Sequence, residues 1–306
     1  MPPATHLREP AHLRFEFIAA QAAKKAFPLV FMCRMLDVSV SGYYGWRARP
    51  ASARSRSDVT LRRRIKVIFA AHRGRYGVRR IHAELARTGV RVGYKRVHRL
   101  MGELGLRSVH PRPYQRTTLP SPRDGHLVDL VNRRVRPPGP DLTWVGDITY
   151  LRTWTGWAYL ATVIDCHSRK IVGWAVADHM RTELVTSALA MAISRRRPAP
   201  GVIFHSDRGS QYTSAEFRAF CAARSVRPSV GATGICYDNA VSESFFATLK
   251  KELVHLHPWP SLTRVRTAVF DYIETYYNRK RIHSTLGYLT PEEYELAFDK
   301  EVPKAA

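Results

Sequence analysis

Three acidic residues in the second half of the chain have the types and settings that metal-assisted chemistry requires. Asp147 lies within a mostly apolar stretch that predicts a β-strand, and Asp207 comes just after a second apolar run at residues 201–204. Glu243 lies in a later segment that has helical periodicity. Because ligands of α/β folds bind outside the carboxyl ends of the strands, acids at a strand end and on a helix can meet at one point.

The segment around Glu243 predicts an amphipathic helix that offers one acid and one base. At 100° per residue its apolar residues fall within an arc of about 140°: Val241, Phe245, Phe246, Leu249 and Leu253. Glu243 and Lys250 lie about 20° apart at the edge of that arc and about 10 Å apart along the axis. A carboxylate suits a metal ion, and an ammonium group nearby suits a phosphate.

Three converging carboxylates suit Mg²⁺ or Mn²⁺ rather than zinc, because these hard cations prefer oxygen ligands. Two such ions, about 3.5–4 Å apart, can clamp a scissile phosphate and so activate the nucleophile and stabilise the departing oxygen. Taken singly, Asp207 is better explained as a cap and Glu243 as a solvated side chain. Asp147 inside an apolar strand costs free energy unless it is paired or bound to a metal, so the three together favour the metal site.

Two other assignments of the polar residues compete with this interpretation. Ser206 or Ser242 could act as a covalent nucleophile, but no Ser-His-Asp order supports that chemistry. Asp165 lies near a predicted hairpin turn, and turns favour aspartate. We therefore predict that Asp165 is a turn residue rather than a ligand.

Length and composition indicate a chain of two or three domains with an uneven charge. The 306 residues carry a net charge of +24. Residues 1–140 hold 29 Lys and Arg against 8 Asp and Glu, and residues 141–306 hold 20 against 17. Such asymmetry predicts a nucleic-acid-binding region joined to a near-neutral domain, with a merely cationic surface as the alternative.

Apolar runs and cysteines exclude several classes of protein. No run of 18 apolar residues predicts a transmembrane helix, and the N-terminus lacks the apolar core of a signal peptide. The four cysteines are far apart and form no CxxC motif, so neither a zinc site nor a disulfide framework is indicated. We expect a cytoplasmic, nucleoid-associated protein with reduced cysteines.

Residues 1–48 predict an N-terminal helical segment with helix-turn-helix character. A short helix begins near Phe15, and a turn at residues 37–42 separates two further helices, where Ser39 or Ser41 could cap the second. A plain helical hairpin explains the same pattern equally well. Residues 49–57, rich in Arg, Ser and Ala, are typical of a linker.

Residues 58–109 predict a three-helix, helix-turn-helix DNA-binding domain. Gly89 and Gly105 mark the ends of its second and third helices, and residues 94–104 would be the recognition helix. A solvated basic face is the alternative to DNA contact. The predicted nucleic-acid-binding residues are Arg79, Arg80, Lys95, Arg96 and Arg99, in addition to Lys250.

Residues 110–140 are predicted to be a basic, Pro-rich linker, and residues 141–299 a catalytic core with C-terminal helices. The predicted strands are 142–151, 157–165, 170–176, the run to Asp207 and 227–230, and the predicted helices are 181–195, 214–224, the Glu243 helix, 262–278 and 291–298. Three antiparallel strands followed by a βαβ unit make a ribonuclease-H-like α/β core, a mixed five-stranded sheet with helices on both faces. Its first and fourth strands are neighbours, which would bring Asp147 beside Asp207.

Several sequence blocks resemble one known family. The core blocks are WVGDITY at 144–150, HSDRGSQY at 205–212, DNA at 238–240, ESFFATLK at 243–250 and YNRKRIHSTLGYLTP at 277–291, and the N-terminal blocks are MCR at 32–34, SGYY at 41–44 and YGVRRI at 76–81. Together they resemble OrfB-type transposases of the IS3 insertion-sequence family, members of the retroviral-integrase superfamily, over residues 14–299. The paired His and Cys of a retroviral N-terminal zinc module do not occur in this chain.

The resemblance implies a catalytic triad of Asp147, Asp207 and Glu243 that binds two Mg²⁺ or Mn²⁺ ions, with Lys250 as the basic residue that follows the glutamate. It implies cleavage of DNA at element ends and joining of the freed 3′-hydroxyl to target DNA. The implied partners are terminal-repeat DNA, target DNA, at least one further copy of the chain and an upstream-frame protein. Without heptads, the chain resembles the downstream product alone. A metal-dependent nuclease of the same fold and a DNA-binding regulator with an inactive core are the alternatives.

Overall fold

The structure, a computed structural model, describes residues 9–24, 27–50, 52–109, 130, 137–231 and 240–301. Contacts divide the chain into two compact units, Met1–Lys66 and Val67–Ala306. In the described ranges, no helix has the length and apolar character needed to cross a membrane. The predicted linker at 110–140 lies almost entirely outside these ranges, as do Asp238 and Asn239 of the Asp-Asn-Ala sequence block at 238–240. The predicted division into four parts stays a prediction.

The first unit is built from small amphipathic helices around one apolar cluster. Helices α1 (Ala11–Ala23), α2 (Leu29–Met35) and α3 (Val40–Ala48) surround a core of Ile18, Met32, Cys33, Leu36 and Tyr43. Of the two predicted caps, Ser39 is the one used, because its hydroxyl accepts a hydrogen bond from the Gly42 amide at 3.0 Å. Helix α1 is longer than the short helix predicted near Phe15.

Helix α4 (Ala53–Ala71) begins before residue 58, where the three-helix domain was predicted to start. The prediction of a linker at 49–57 is therefore wrong for residues 53–57. The Ser52 hydroxyl accepts a hydrogen bond from the Ser55 amide at 3.1 Å, which satisfies one of the first unpaired donors of the helix. Alanine and arginine both favour helix, so a solvated first turn forms without an apolar face.

The second unit opens with helices α5 (Val78–Arg87) and α6 (Tyr94–Glu103). Their buried residues are Ile81 and Leu85 on α5 and Val97, Leu100 and Met101 on α6. Both predicted terminal glycines are confirmed. Gly89 has a φ of 81° and Gly105 a φ of 64°, a left-handed conformation that glycine adopts without steric cost.

A mixed five-stranded sheet forms the centre of the second unit. Its strands are β1 (Thr143–Thr153), β2 (Gly156–Asp165), β3 (Ile171–Ala177), β4 (Ile203–Ser206) and β5 (Arg227–Val230). The order is β3-β2-β1-β4-β5, with β1, β2 and β3 antiparallel and β4 parallel to both β1 and β5. The ribonuclease-H-like arrangement is the one that the sequence predicts.

Helices cover both faces of this sheet, as predicted. One face packs against α7 (Thr182–Arg196), the short α8 (Ser210–Thr213) and α9 (Ala215–Ala222). The other packs against α10 (Ala240–Glu252), α11 (Leu262–Phe270) and the π-helical turns Asp271–Tyr277 that continue it, while α12 (Pro291–Glu301) follows. The sheet and α7 approach closely at Gly173, where a Cβ atom would lie 2.2 Å from the Ala188 carbonyl oxygen.

Candidate active site

The sheet brings two of the three predicted acids to neighbouring strands. Strands β1 and β4 run parallel, and their paired residues include Thr143 with Ile203 and Val145 with His205. Each pair is 60 residues apart in the chain. Asp207, which follows the last residue of β4, is likewise 60 residues from Asp147. Continuing the register therefore places the two aspartates side by side at the carboxyl end of β4, where α/β folds bind ligands.

The backbone after β4 holds the Asp207 carboxylate in place. The Gly209 amide donates a hydrogen bond to Asp207 Oδ1 at 3.0 Å, which fixes a tight turn into α8. Residues 210–213 form the short helix α8. Asp207 itself is exposed, whereas Asp147 is partly buried and accepts a hydrogen bond from the Ile148 amide at 2.7 Å.

A fully buried tyrosine links the two aspartates electrostatically. Burial raises the pKa of Tyr212 well above its usual range, and the charges of Asp147 and Asp207 raise it further. Its ring packs on Phe204 and Phe217, with centroids 5.9 Å and 5.6 Å away. Tyr212 thus stays protonated beneath two carboxylates that lie close enough to act on the same hydroxyl.

Helix α10 presents Lys250 to the same place. All five predicted apolar residues, the last of which directly follows the helix, pack in the core with residues of β1 and its neighbours, which orients the helix as its periodicity predicts. Burial lowers the pKa of Lys250, and the charge of Asp147 opposes that effect, so the ammonium lies near this carboxylate. The Lys250 amine also lies 5.0 Å from the centre of the Tyr150 ring.

Glu243 lies in the first turn of the same helix and is exposed. Within the ranges that the structure describes, no group of three His, Cys, Asp or Glu side chains is placed to hold a metal ion. Asp147, Asp207 and Glu243 therefore do not form a finished three-ligand site. The aspartate pair is an all-oxygen donor set and fits Mg²⁺ or Mn²⁺ in kind. The meeting of all three acids at one ion stays a prediction.

Asp165 has the structural role that its turn position predicts. Its carboxylate is buried and accepts hydrogen bonds from the Ser168 amide at 2.8 Å, the Ser168 hydroxyl at 2.9 Å and the Asp141 amide at 2.8 Å. Burial raises the pKa of this carboxyl group, and the three donors oppose that effect. Asp165 therefore closes the turn between β2 and β3.

The predicted DNA contacts on α5 and α6 fall into two groups. The first group is exposed and consists of Arg79, Lys95 and Arg99, with Arg96 partly exposed. Arg99 also forms an ion pair with Glu103. Arg80 differs, because its Nε donates a hydrogen bond to the Ile282 carbonyl at 3.2 Å and its guanidinium lies 5.7 Å from the centre of the Tyr76 ring. The structure places Arg80 against the C-terminal part of its own unit.

Two sequence blocks meet in a contact that the sequence does not reveal. The Tyr76 hydroxyl donates a hydrogen bond to the Lys280 carbonyl at 3.0 Å and accepts one from the Ile282 amide at 2.9 Å. Arg281, which lies between these two residues, is buried and donates a hydrogen bond to Glu252, which also accepts one from the Tyr272 hydroxyl. The YGVRRI block at 76–81 and the block at 277–291 are therefore packing partners within the second unit.

Family models match most of the chain. A model described as "Integrase core domain" matches residues 137–236, and a second with the same description matches residues 243–297. A model described as "HTH-like domain" matches residues 56–114. The boundary between the two kinds of match lies between α6 and β1.

The chain is similar to proteins of insertion elements over nearly their full length. It is 39% identical over 263 residues to the "Insertion element IS600 uncharacterized 31 kDa protein" of Shigella sonnei, covering 86% of this chain and 97% of that protein. It is 38% identical over 285 residues to "Transposase InsF for insertion sequence IS3A" of Escherichia coli (strain K12), covering 92% and 98%.

Solved structures show a more distant likeness. The catalytic core domain of HTLV-2 integrase, solved with magnesium in a trimeric form, is 18% identical with a TM-score of 0.41, covering 52% of this chain and 99% of that chain. A simian T-cell lymphotropic virus intasome in complex with PP2A regulatory subunit B56 gamma contains a chain that is 16% identical with a TM-score of 0.45, covering 74% and 72%.

Proposed function

The chain belongs to the IS3 family of insertion-sequence transposases, and on that premise we propose that it cuts DNA at element ends and joins the freed 3′-hydroxyl to target DNA. The observation that carries this proposal is the parallel pairing of β1 with β4. Continued by two residues, its register sets Asp207 beside Asp147, and the Lys250 ammonium lies near Asp147. A carboxylate pair next to an ammonium group suits a metal-assisted reaction at a phosphate.

We propose that Asp147, Asp207 and Glu243 are the catalytic acids and hold two Mg²⁺ or Mn²⁺ ions. When bound, such ions supply the activation of the attacking hydroxyl and the neutralisation of charge on the scissile phosphate. The three side chains would bind the ions as ionised carboxylates and would not need to donate a proton. The buried, protonated Tyr212 offers a neutral hydroxyl beneath the aspartate pair, so it adds no further negative charge to the site.

The surroundings of Lys250 support a role in orienting a phosphate. Asp147 and the Tyr150 ring both lie near its ammonium group, which restricts the directions in which the side chain can point. A compact cation on a restrained stem can hold one DNA phosphate next to the carboxylates. Because an ammonium cannot replace the carboxylates as a metal ligand, we propose that Lys250 positions DNA and the three acids perform the chemistry.

The exposed basic residues of α5 and α6 are proposed to hold duplex DNA. Helix α6 carries Lys95 and Arg99 on the side away from its buried residues and the partly exposed Arg96 at the flank, and α5 adds Arg79. Such contacts position the protein on phosphates and supply salt-dependent affinity. Two element ends must be joined in one complex, so we also propose an assembly of at least two copies. An upstream-frame partner protein and a cytoplasmic site of action belong to the same proposal.

Arg79 and Arg80 give a matched test of the DNA-binding surface. Arg79→Gln should weaken duplex binding and lower the slope of log affinity against log salt by about one, because one phosphate contact is lost. The melting temperature should not change. Arg80→Gln should instead lower the melting temperature, since it removes the contact with the Ile282 carbonyl. Fluorescence anisotropy at several salt concentrations and thermal unfolding measure the two effects, and identical behaviour of the two variants would contradict the assignment.

The proposed reaction is tested with labelled, pre-cleaved element ends and target DNA, in the presence and absence of Mg²⁺. Joined products that require Mg²⁺ are the expected result. Hydrolysis of DNA without joining would replace the transposase proposal with a nuclease of the same fold. DNA binding without either reaction would favour a regulator with an inactive core.

A further inference from the structure

Three large aromatic side chains are exposed on the hairpin that β1 and β2 form. Tyr150 is 60% exposed, Trp154 is 75% exposed and Trp157 is 48% exposed. The Tyr150 and Trp157 rings meet edge to face, with centroids 5.3 Å apart. Large apolar side chains exposed together on one hairpin are typical of an interaction site.

Two cations accompany these rings. The Arg152 guanidinium lies 6.0 Å from the centre of the Trp157 ring, and the Lys250 amine lies 5.0 Å from the centre of the Tyr150 ring. The hairpin platform, defined as Tyr150, Arg152, Trp154, Trp157 and Lys250, therefore combines aromatic faces with positive charge. Proteins that bind single-stranded nucleic acid use this combination, with bases stacked on rings and phosphates held by cations.

The hairpin platform is both anchored and close to the proposed active site. The Thr153 hydroxyl donates a hydrogen bond to the Gly156 carbonyl at 2.8 Å, and the Trp154 amide donates one to the Trp259 carbonyl at 2.9 Å. Tyr150 follows Asp147 by three residues in the same strand, a distance of about 10 Å. Lys250 lies near both residues, so the platform begins where the proposed chemistry takes place.

We propose that the hairpin platform binds unpaired nucleotides of the DNA strand next to the scissile phosphate. Bases stack on Trp154 and Trp157, and Arg152 and Lys250 hold the adjoining phosphates. This inference rests on the proposed function, which places DNA at the carboxylates. Charge complementarity favours DNA over a second copy of the chain, because the platform is cationic and the chain carries a net charge of +24.

The test measures binding rather than catalysis, in the full-length chain with the Asp207→Asn substitution added so that no DNA is cut. Fluorescence anisotropy compares a duplex that ends in an unpaired tail with a fully paired duplex of the same sequence. Trp154→Ala and Trp157→Ala should each weaken binding of the tailed duplex by about tenfold or more, and leave the paired duplex nearly unaffected. With abasic sites in the tail, the tryptophan variants should bind the tailed duplex as tightly as the protein that retains both tryptophans does.

Phe270→Ala is the matched control, because Phe270 is 49% exposed on α11 and lies outside the platform. It should change neither affinity. An equal loss for tailed and paired DNA, or no loss for either, would overturn the inference. So would a change of oligomeric state in sedimentation velocity with unaltered DNA binding, which would identify a protein-docking surface. Since wild-type joining activity is measured separately, failure of the proposed function does not alter the binding result.

Discussion

Replacing Asp207 by asparagine is expected to reduce strand transfer by about a thousandfold or more, because a ligand loses the charge that neutralises a divalent cation. The asparagine side chain has nearly the same shape, so the fold and the affinity for DNA should be retained. Asp207 is exposed and lies beyond β4, which makes a large loss of stability unexpected. The measurement is the rate of joining of labelled pre-cleaved ends in Mg²⁺.

The same loss is expected for Asp147→Asn and for Glu243→Gln, since all three acids are proposed to act together. Asp178→Asn is the matched control, because Asp178 is an exposed aspartate just after β3. Its rate should equal that of the unaltered chain. If Asp207→Asn joined DNA at the unaltered rate, the carboxylates would have no role in the reaction.

The largest expected loss of stability follows removal of Glu252. This buried carboxylate accepts hydrogen bonds from Arg281 Nη2 at 2.8 Å, from Arg281 Nε at 3.0 Å and from the Tyr272 hydroxyl at 2.9 Å. Glu252→Ala would leave the Arg281 guanidinium buried without its counter-ion, which costs about 3–5 kcal/mol. We expect the melting temperature to fall by about 10 °C or more.

Glu292→Ala provides the comparison for this prediction. The Glu292 carboxylate lies 3.7 Å from Arg279, and both side chains are substantially exposed, so that pair should contribute less than about 1 kcal/mol. Thermal unfolding followed by circular dichroism measures both variants. Equal shifts in melting temperature would show that burial of the Glu252–Arg281 pair has no special effect.

Much of the catalytic core could be predicted because its signals are local. Alternating and continuous apolar runs marked the five strands, and the short connections among β1, β2 and β3 fixed their antiparallel order. Three antiparallel strands followed by a βαβ unit predicted the ribonuclease-H-like arrangement, in which the first and fourth strands are neighbours. The expected juxtaposition of Asp147 and Asp207 followed from that arrangement. The apolar arc of α10 predicted its buried face in the same way, since helix periodicity alone determines which residues share a face.

Other features depend on contacts that no local pattern encodes. The Glu252–Arg281 pair and the contacts of Tyr76 join residues that are far apart in the chain. Arg79 and Arg80 are identical and adjacent, so only the packing of α5 separates an exposed cation from an anchored one. The exposed hairpin aromatics could have been noticed as a cluster, but apolar residues in a strand are ordinarily predicted to be buried.

A Mn²⁺ titration followed by electron paramagnetic resonance decides whether Asp147, Asp207 and Glu243 share two divalent cations. The protein is bound to a pre-cleaved DNA end, and the signal of unbound Mn²⁺ reports how many ions each chain takes up. Each chain is expected to take up two ions, and Asp147→Asn, Asp207→Asn and Glu243→Gln should each lose at least one of them. Uptake by these variants equal to that of the unaltered chain would contradict that expectation.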